Sequence, residues 1–256
     1  SRRRLAAAGA LAMLTLLRSL AFSAGMLVTV IIYGALVPLV SALPFRHRYA
    51  FTRHWAIVNL RWLELTCGVR YRVVGRQNLP TGAVVVLSKH QSTWETLVFQ
   101  ELFPPLVWVM KRELLWVPFF GWGLAMGRPI AIDRGAGRRA MEQLLQQGQA
   151  RLADGLWVVT FPEGTRMRPG ERGRYRAGGA LLAVQAGVPV LPVAHNAGEL
   201  WGKRRFLKHS GTITVTIGPQ IVTEGRDAAA VLGEAEEWIE GTLTGIMGTA
   251  RTKQSP

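Results

Sequence analysis

The stretch Val84-Val85-Val86-Leu87-Ser88-Lys89-His90-Gln91-Ser92-Thr93-Trp94-Glu95 changes character at Ser88. Before it, three valines and a leucine form a short uninterrupted apolar run, the pattern of a strand buried on both faces. After it, the chain leads into a segment with helical periodicity that reaches Leu102. Strands that feed helices in this way belong to layered α/β folds. The alternation continues downstream. Strands are expected at Val84–Leu87, Val107–Met110, Pro129–Ile132, Trp157–Phe161, Val190–Val193 and Thr212–Ile217, and helices at Ser92–Leu102, Arg138–Ala153, Gly178–Ala186 and Ala228–Leu243. The third helix is closed by Gly187 with Pro189 just beyond, as a helix stop should be. The expected fold is α/β, a mixed sheet flanked by helices.

Working back towards the N-terminus, Arg2, Arg3 and Arg4 precede an apolar run from Leu5 to Leu17, Arg18 interrupts it, and a second uncharged stretch runs from Ser19 to Phe45. The second stretch is long enough to span, since about 20 helical residues cover a bilayer core. Gly34 and Pro38 weaken a straight helix there, and Arg46, His47, Arg48 and Arg53 make the far flank as positive as the near one. The positive-inside rule then has nothing to choose between. The expectation is a membrane-embedded segment of two helices dipping into one leaflet, with Arg18 near the bend. A cleaved signal peptide is the alternative, but no small-residue cleavage site is followed by polar sequence. The domain organisation expected is residues 1–48 for membrane attachment, 49–248 for the catalytic domain and 249–256 for a frayed tail.

The chain has 256 residues, nine Trp and a formal net charge of +15. That length suits a single catalytic domain with an added segment, and the composition excludes disorder and points to an anionic partner. Cys67 is the single cysteine, so no internal disulfide can form and no thiolate metal cluster is indicated.

Two constellations carry chemistry. His90 ends the first strand, and Glu95 follows five residues on in the first helical turn. A carboxylate there can hold the imidazole in one tautomer and stabilise it once protonated. A satisfied structural pair would have the same spacing. The second constellation is Phe161-Pro162-Glu163-Gly164-Thr165-Arg166, where a turn at a strand end presents Arg166 and backbone N–H groups suited to a phosphate. Taken alone it also reads as an ordinary turn with a solvated arginine.

Together these motifs closely resemble the glycerolipid acyltransferase superfamily, whose best-known bacterial members are of the 1-acylglycerol-3-phosphate (lysophosphatidic acid) acyltransferase type. The family's H-x-x-x-x-D corresponds to His90 through Glu95, its K-x-E-L to Lys111-Arg112-Glu113-Leu114, and its strand ending in arginine to Ile130-Ala131-Ile132-Asp133-Arg134. Its F-P-E-G-T-R is Phe161 to Arg166, and a proline-bearing strand follows at Val188-Pro189-Val190-Leu191-Pro192-Val193. The resemblance runs from about Arg70 to Gly218. One departure is Glu95 where the family usually has Asp; the extra methylene requires the side chain to fold back or the helix to start farther away.

The resemblance implies transfer of a fatty acyl group from an acyl thioester to the free hydroxyl of a lysophosphatidic acid-like acceptor. His90 would act as general base with Glu95 as its partner. Lys111, Arg134 and Arg166 would hold the acceptor phosphate, Gly164 and Thr165 would belong to the substrate-binding turn, and Glu163 would order that turn or meet the glycerol hydroxyl. Lys89 and Arg112 are helpers or headgroup-facing surface charges. The partners implied are a lysophospholipid acceptor, an acyl-CoA or acyl carrier protein donor and membrane lipid, with no nucleic acid, no cofactor and no metal. The site would face the cytoplasm from a bacterial-type inner membrane. Other lysolipids or glycerol 3-phosphate are alternative acceptors. Ser92 lies too close to His90 in sequence for good nucleophile geometry, so direct transfer is expected. The aromatic loop Trp116-Val117-Pro118-Phe119-Phe120-Gly121-Trp122 suits an acyl groove, a membrane interface or plain core packing.

A rival reading comes from Gly135-Ala136-Gly137-Arg138-Arg139-Ala140, which fits the G-x-G-x-x-[GA] fingerprint of an NAD(P)-dependent oxidoreductase. Against it, Asp133 and Arg134 separate the strand from the first glycine. A hydrolase is disfavoured because no G-x-S-x-G elbow occurs.

Overall fold

The computed structural model describes residues 2–133 and 135–252, with backbone alone at 2–6 and 247–252. Two long helices come first, α1 (Arg2–Ser41) and α2 (Phe45–Cys67). The α/β layer follows as β1 (Val69–Val74), β2 (Val85–Ser88), α3 (Trp94–Leu102), β3 (Leu106–Lys111), α4 (Phe120–Met126), β4 (Ile130–Ile132), α5 (Arg138–Ala153) and β5 (Trp157–Thr160). It is completed by α6 (Gly178–Ala186), β6 (Val190–His195), α7 (Ala197–Leu200), β7 (Gly211–Ile217) and α8 (Ala228–Thr252). The sheet order is β1-β7-β6-β2-β5-β3-β4, and the β6–β7 pair is antiparallel while the other neighbours are parallel. The mixed, helix-flanked sheet expected from sequence is therefore present.

Every residue of β2, β5 and β6 is buried, which is why these strands read as unbroken apolar runs. Alternate residues serve two cores. Val86, Trp157, Val159, Leu191 and Val193 pack with Leu63 of α2 and with Trp94, Leu97 and Phe99 of α3. Val85, Leu87, Val158 and Val190 face α5, α6 and α8 through Leu144, Leu182, Ala183, Ala235 and Ile239.

The expected bend at Arg18 does not occur. The helix α1 runs without interruption through Arg18, Gly34 and Pro38, and the chain turns only at Pro44, which precedes α2 in an extended conformation. Arg18 lies among good helix formers, and Pro38 falls in the last turn of the helix, so neither residue forces a break. One stripe of α1 is docked on the rest of the protein. Phe22 is fully buried and meets Trp201 edge-on, Trp62 Nε1 donates to the Ala21 carbonyl at 3.2 Å, and Asn59 and Trp55 hydrogen-bond Thr29. The other faces expose Leu11, Leu20, Leu27, Ile31 and Leu39. Residues Ala7–Ser41 are apolar and long enough to cross a membrane.

The start of α6 touches the strands directly. A Cβ on Gly179 would lie 2.6 Å from both Leu87 Cδ2 and Thr160 Oγ1, closer than carbon atoms tolerate. Gly179→Val is expected to destabilise the fold by about 1–3 kcal/mol through overpacking. An unchanged urea midpoint in detergent would show that α6 does not seat on β2 and β5 as described.

Candidate active site

Because β2, β5, β3 and β4 run parallel, their carboxyl ends share one rim of the sheet. His90 follows β2, Phe161 follows β5, Lys111 ends β3 and Asp133 follows β4. Side chains far apart in sequence are thus gathered where open α/β sheets commonly bind ligands.

The carboxylate of Glu95 reaches back over the start of α3. Its Oε1 accepts from His90 Nδ1 at 2.8 Å, from the Gln91 N–H at 2.8 Å and from the Ser92 N–H at 2.7 Å. The longer side chain is accommodated by folding back, one of the two solutions the sequence allowed. A carboxylate only accepts, so the His90 proton sits on Nδ1 and Nε2 keeps its lone pair. The imidazole is 16% exposed and stacks on Phe161, with centroids 4.0 Å apart and planes inclined by 13°. Phe161 in turn stacks on Trp108. Ser92 Oγ accepts from the Trp94 N–H at the start of α3 rather than pairing with His90.

Burial alone would raise the Glu95 carboxyl, but the field of His195, the hydrogen bond and charge of His90 and the Ser92 N–H together hold it below its ordinary value. His195 is fully buried, and burial drives its imidazole down despite the pull of Glu95 and of the Lys89 carbonyl. Two of the three bonds on Glu95 Oε1, those from His90 and from the Ser92 N–H, act to lower the Glu95 carboxyl. The tautomer of His195 is also fixed: Nδ1 accepts from the Ala197 N–H at 3.3 Å, so Nε2–H donates to the Lys89 carbonyl at 2.9 Å.

The loop around His90 is pinned at further points. The His90 carbonyl accepts from the Met167 N–H at 2.7 Å, and Gln91 Oε1 accepts from the Gly198 N–H at 3.1 Å. The first of these bonds ties the two sequence motifs together. Gly164 adopts φ +67°, the left-handed conformation that closes the turn after Phe161. Thr165 is exposed and Arg166 half-buried. Among the described residues neither Arg166 nor the exposed Lys111 is ion-paired, so both remain available to an anion. Glu163 faces inward, with Oε1 on Lys89 Nζ at 2.7 Å and on the Gly173 N–H at 3.0 Å. Lys89 is 1% exposed, so it is a buried cation and not a headgroup-facing one. Arg112 pairs with Asp133 at 2.9 Å, and Arg134 lies outside the described residues. The aromatic loop divides its labour. Phe119 and Phe120 line an apolar pocket with Val30, Tyr33, Tyr49 and Trp108, while Trp116 and Trp122 are 70% and 45% exposed.

Sequence reasoning had not singled out His195, Tyr175 or Glu240. The signal for His195 was slight, a histidine two residues past the expected strand Val190–Val193; the other two carried none.

A histidine held by a carboxylate thus stands on a sheet rim that also carries Lys111 and Arg166, an arrangement chemically able to move a proton near an anionic group. A family model described as Acyltransferase matches residues 70–196. The chain is 48% identical over 208 residues to the 1-acyl-sn-glycerol-3-phosphate acyltransferase of Pseudomonas aeruginosa, covering 80% of this chain and 81% of that one. It is 29% identical over 257 residues to the human 1-acyl-sn-glycerol-3-phosphate acyltransferase beta, covering 96% and 92%. The crystal structure of the 1-acyl-sn-glycerophosphate (LPA) acyltransferase PlsC from Thermotoga maritima has the same fold, with TM-score 0.76, 23% identity and coverage of 91% and 96%. The chain belongs to the acyltransferase family. The oxidoreductase reading of Gly135 to Ala140 is thereby displaced; those residues follow β4, the edge strand of the sheet, rather than a central one.

His195 gives a pH signature. At pH well above the ordinary imidazole value of 6.5, neither folded nor unfolded chain carries the proton. Below it the unfolded chain gains a proton that the folded chain refuses, so stability falls with acidity until the depressed folded value is reached. His195→Gln keeps a donor for the Lys89 carbonyl and cannot titrate; between pH 7 and 5 its urea midpoint is expected to fall less than that of the unsubstituted chain. Equal falls would remove His195 as the source.

Proposed function

We propose that this chain transfers a fatty acyl group from an acyl thioester to the free hydroxyl of a lysophosphatidic acid-like acceptor, giving phosphatidic acid. The observation that carries the reading is the Nε2 lone pair of His90, which has no partner among the described residues, is oriented by the Glu95 contact and lies on the same rim as Arg166 and Lys111. The chain's similarity to the 1-acyl-sn-glycerol-3-phosphate acyltransferases of Pseudomonas aeruginosa and human supports it.

In this mechanism Nε2 takes the proton of the acceptor hydroxyl as its oxygen attacks the thioester carbonyl carbon. Glu95 stabilises the imidazolium. The C–S bond then breaks, and the imidazolium returns its proton to the departing thiolate. Arg166 and Lys111, with Arg134, hold the acceptor phosphate by charge-assisted hydrogen bonds. Glu163, turned away from the opening, orders the turn that carries Arg166. The donor is acyl-CoA or acyl carrier protein, and the apolar pocket beneath Phe119 and Phe120 takes acyl chain.

Because α1 is docked along one stripe and apolar elsewhere, the reading extends to a helix pair embedded in one leaflet, with Trp116 and Trp122 at the interface. The site then faces the cytoplasm from a bacterial-type inner membrane.

Labelled transfer from acyl-CoA to lysophosphatidic acid in vesicles tests the reaction. His90→Ala and Glu95→Gln are each expected to lower kcat by about 10²–10⁴-fold, and Arg166→Ala to raise the acceptor KM by about tenfold or more. Full activity in His90→Ala would sink the mechanism, and no transfer from either donor to any lysolipid would sink the function. For the membrane placement, a polarity-sensitive fluorophore on Trp116→Cys is expected to shift to the blue when vesicles are added, while one on Glu224→Cys is not. Identical responses would refute it.

A further inference from the structure

Lys89 precedes the proposed base, and its ammonium is the meeting point of four chain segments. Nζ donates to Glu163 Oε1 at 2.7 Å, to Glu240 Oε1 at 2.8 Å and to the Glu171 carbonyl at 3.0 Å, which uses all three of its protons. The Lys89 and Glu163 side chains are 1% and 0% exposed, and that of Glu240 is 20% exposed. Glu240 Oε1 also accepts from Tyr175 OH at 2.9 Å, and one helical turn earlier Glu236 pairs with Arg172 at 2.7 Å. The C-terminal helix α8 thus grips residues 171–175 at two points and the His90 loop at a third.

Charge alone does not explain this arrangement. A buried ammonium needs one carboxylate, and Glu163 supplies it. The second carboxylate leaves the cluster with excess negative charge, which the Tyr175 hydroxyl partly offsets by donating to it. What Glu240 adds is direction. It pulls on the ammonium from α8 while Glu163 pulls from the turn that carries Arg166, so neither the His90 loop nor that turn can shift without breaking a buried charged contact. The match to the acyltransferase family model ends at residue 196, well before Glu240.

We infer that Glu240 is a positioning residue for the proposed acyl transfer, acting through Lys89 to hold His90 and the Arg166 turn in mutual register. It touches neither substrate nor reacting atoms. The inference rests on the function proposed above.

The test is steady-state acyl transfer by the full chain in vesicles, with folding checked by circular dichroism and thermal melting. Glu240→Ala is expected to lower kcat by about tenfold or more, since small displacements of a base cost rate steeply, while the acceptor KM changes by less than about twofold because Arg166 and Lys111 are intact. Glu240→Gln should recover most of kcat, since its carboxamide oxygen still accepts from Lys89 and Tyr175. Tyr175→Phe should lower kcat severalfold alone and add nothing in the Glu240→Ala background. Unaltered kcat in Glu240→Ala, failure of Glu240→Gln to recover it, or losses that multiply in the double variant would each overturn the inference. If Glu240→Ala does not fold, Tyr175→Phe decides: a severalfold loss of kcat supports the role, and an unchanged kcat overturns it. An intact chain that transfers nothing brings down the proposed function as well; an active chain indifferent to these substitutions brings down this inference alone.

Discussion

Parallel pairing of β2 with β5, of β5 with β3 and of β3 with β4 is the constraint on which the rest of the molecule depends. Parallel strands end on the same rim, so the residues that follow them are brought together by the sheet and not by their own affinity for one another. Cationic side chains and a histidine would otherwise repel or solvate separately. Here the burial of Val85–Ser88 and Trp157–Thr160 supplies the free energy that holds them in one place. The antiparallel strand β7 does not interrupt this rim, because it joins the sheet beyond β6.

The same constraint explains what the sequence made legible. Val84 to Leu87, Trp157 to Thr160 and Val190 to Val193 are buried on both faces, so their composition is dictated by burial and shows as short apolar runs. Helix α5 carries its own period, and its observed limits are those expected. The strand β1 alternates buried and exposed residues, with arginines at 70 and 72 on the open face, and its run is too mixed to stand out. The helix α2 places Arg46, Arg48, Arg53 and Arg61 among its aromatic residues, a mixture that does not stand out as an apolar helix. Its periodicity becomes meaningful only once α1 is known to lie along it.

The site was legible where contacts are local. His90 and Glu95 lie within one turn of chain, and their spacing already implied the contact. Glu163 was harder: the motif marked it as important, but its partner Lys89 is 74 residues away. A long-range buried pair leaves no periodic trace, and an isolated lysine beside the His90 motif looks the same whether it faces water or a carboxylate. For that reason the sequence leaves Lys89 open between a helper at the site and a surface charge, and it gives no sign of Glu240.

The replacement of Asp by Glu at position 95 shows how such a site tolerates change. A longer carboxylate brings an added rotatable bond, and its extra freedom would blur the orientation of the imidazole. Two backbone N–H groups, from Gln91 and Ser92, take up that freedom by binding the same oxygen that binds His90. The backbone that presents them is held from below by His195 on the Lys89 carbonyl and from the side by Met167 on the His90 carbonyl. Orientation of the imidazole is therefore a property of the whole loop and not of the carboxylate's length. A site built in this way can exchange one acid for the other and keep the Nε2 lone pair directed outward, provided that the anchors beneath it do not move.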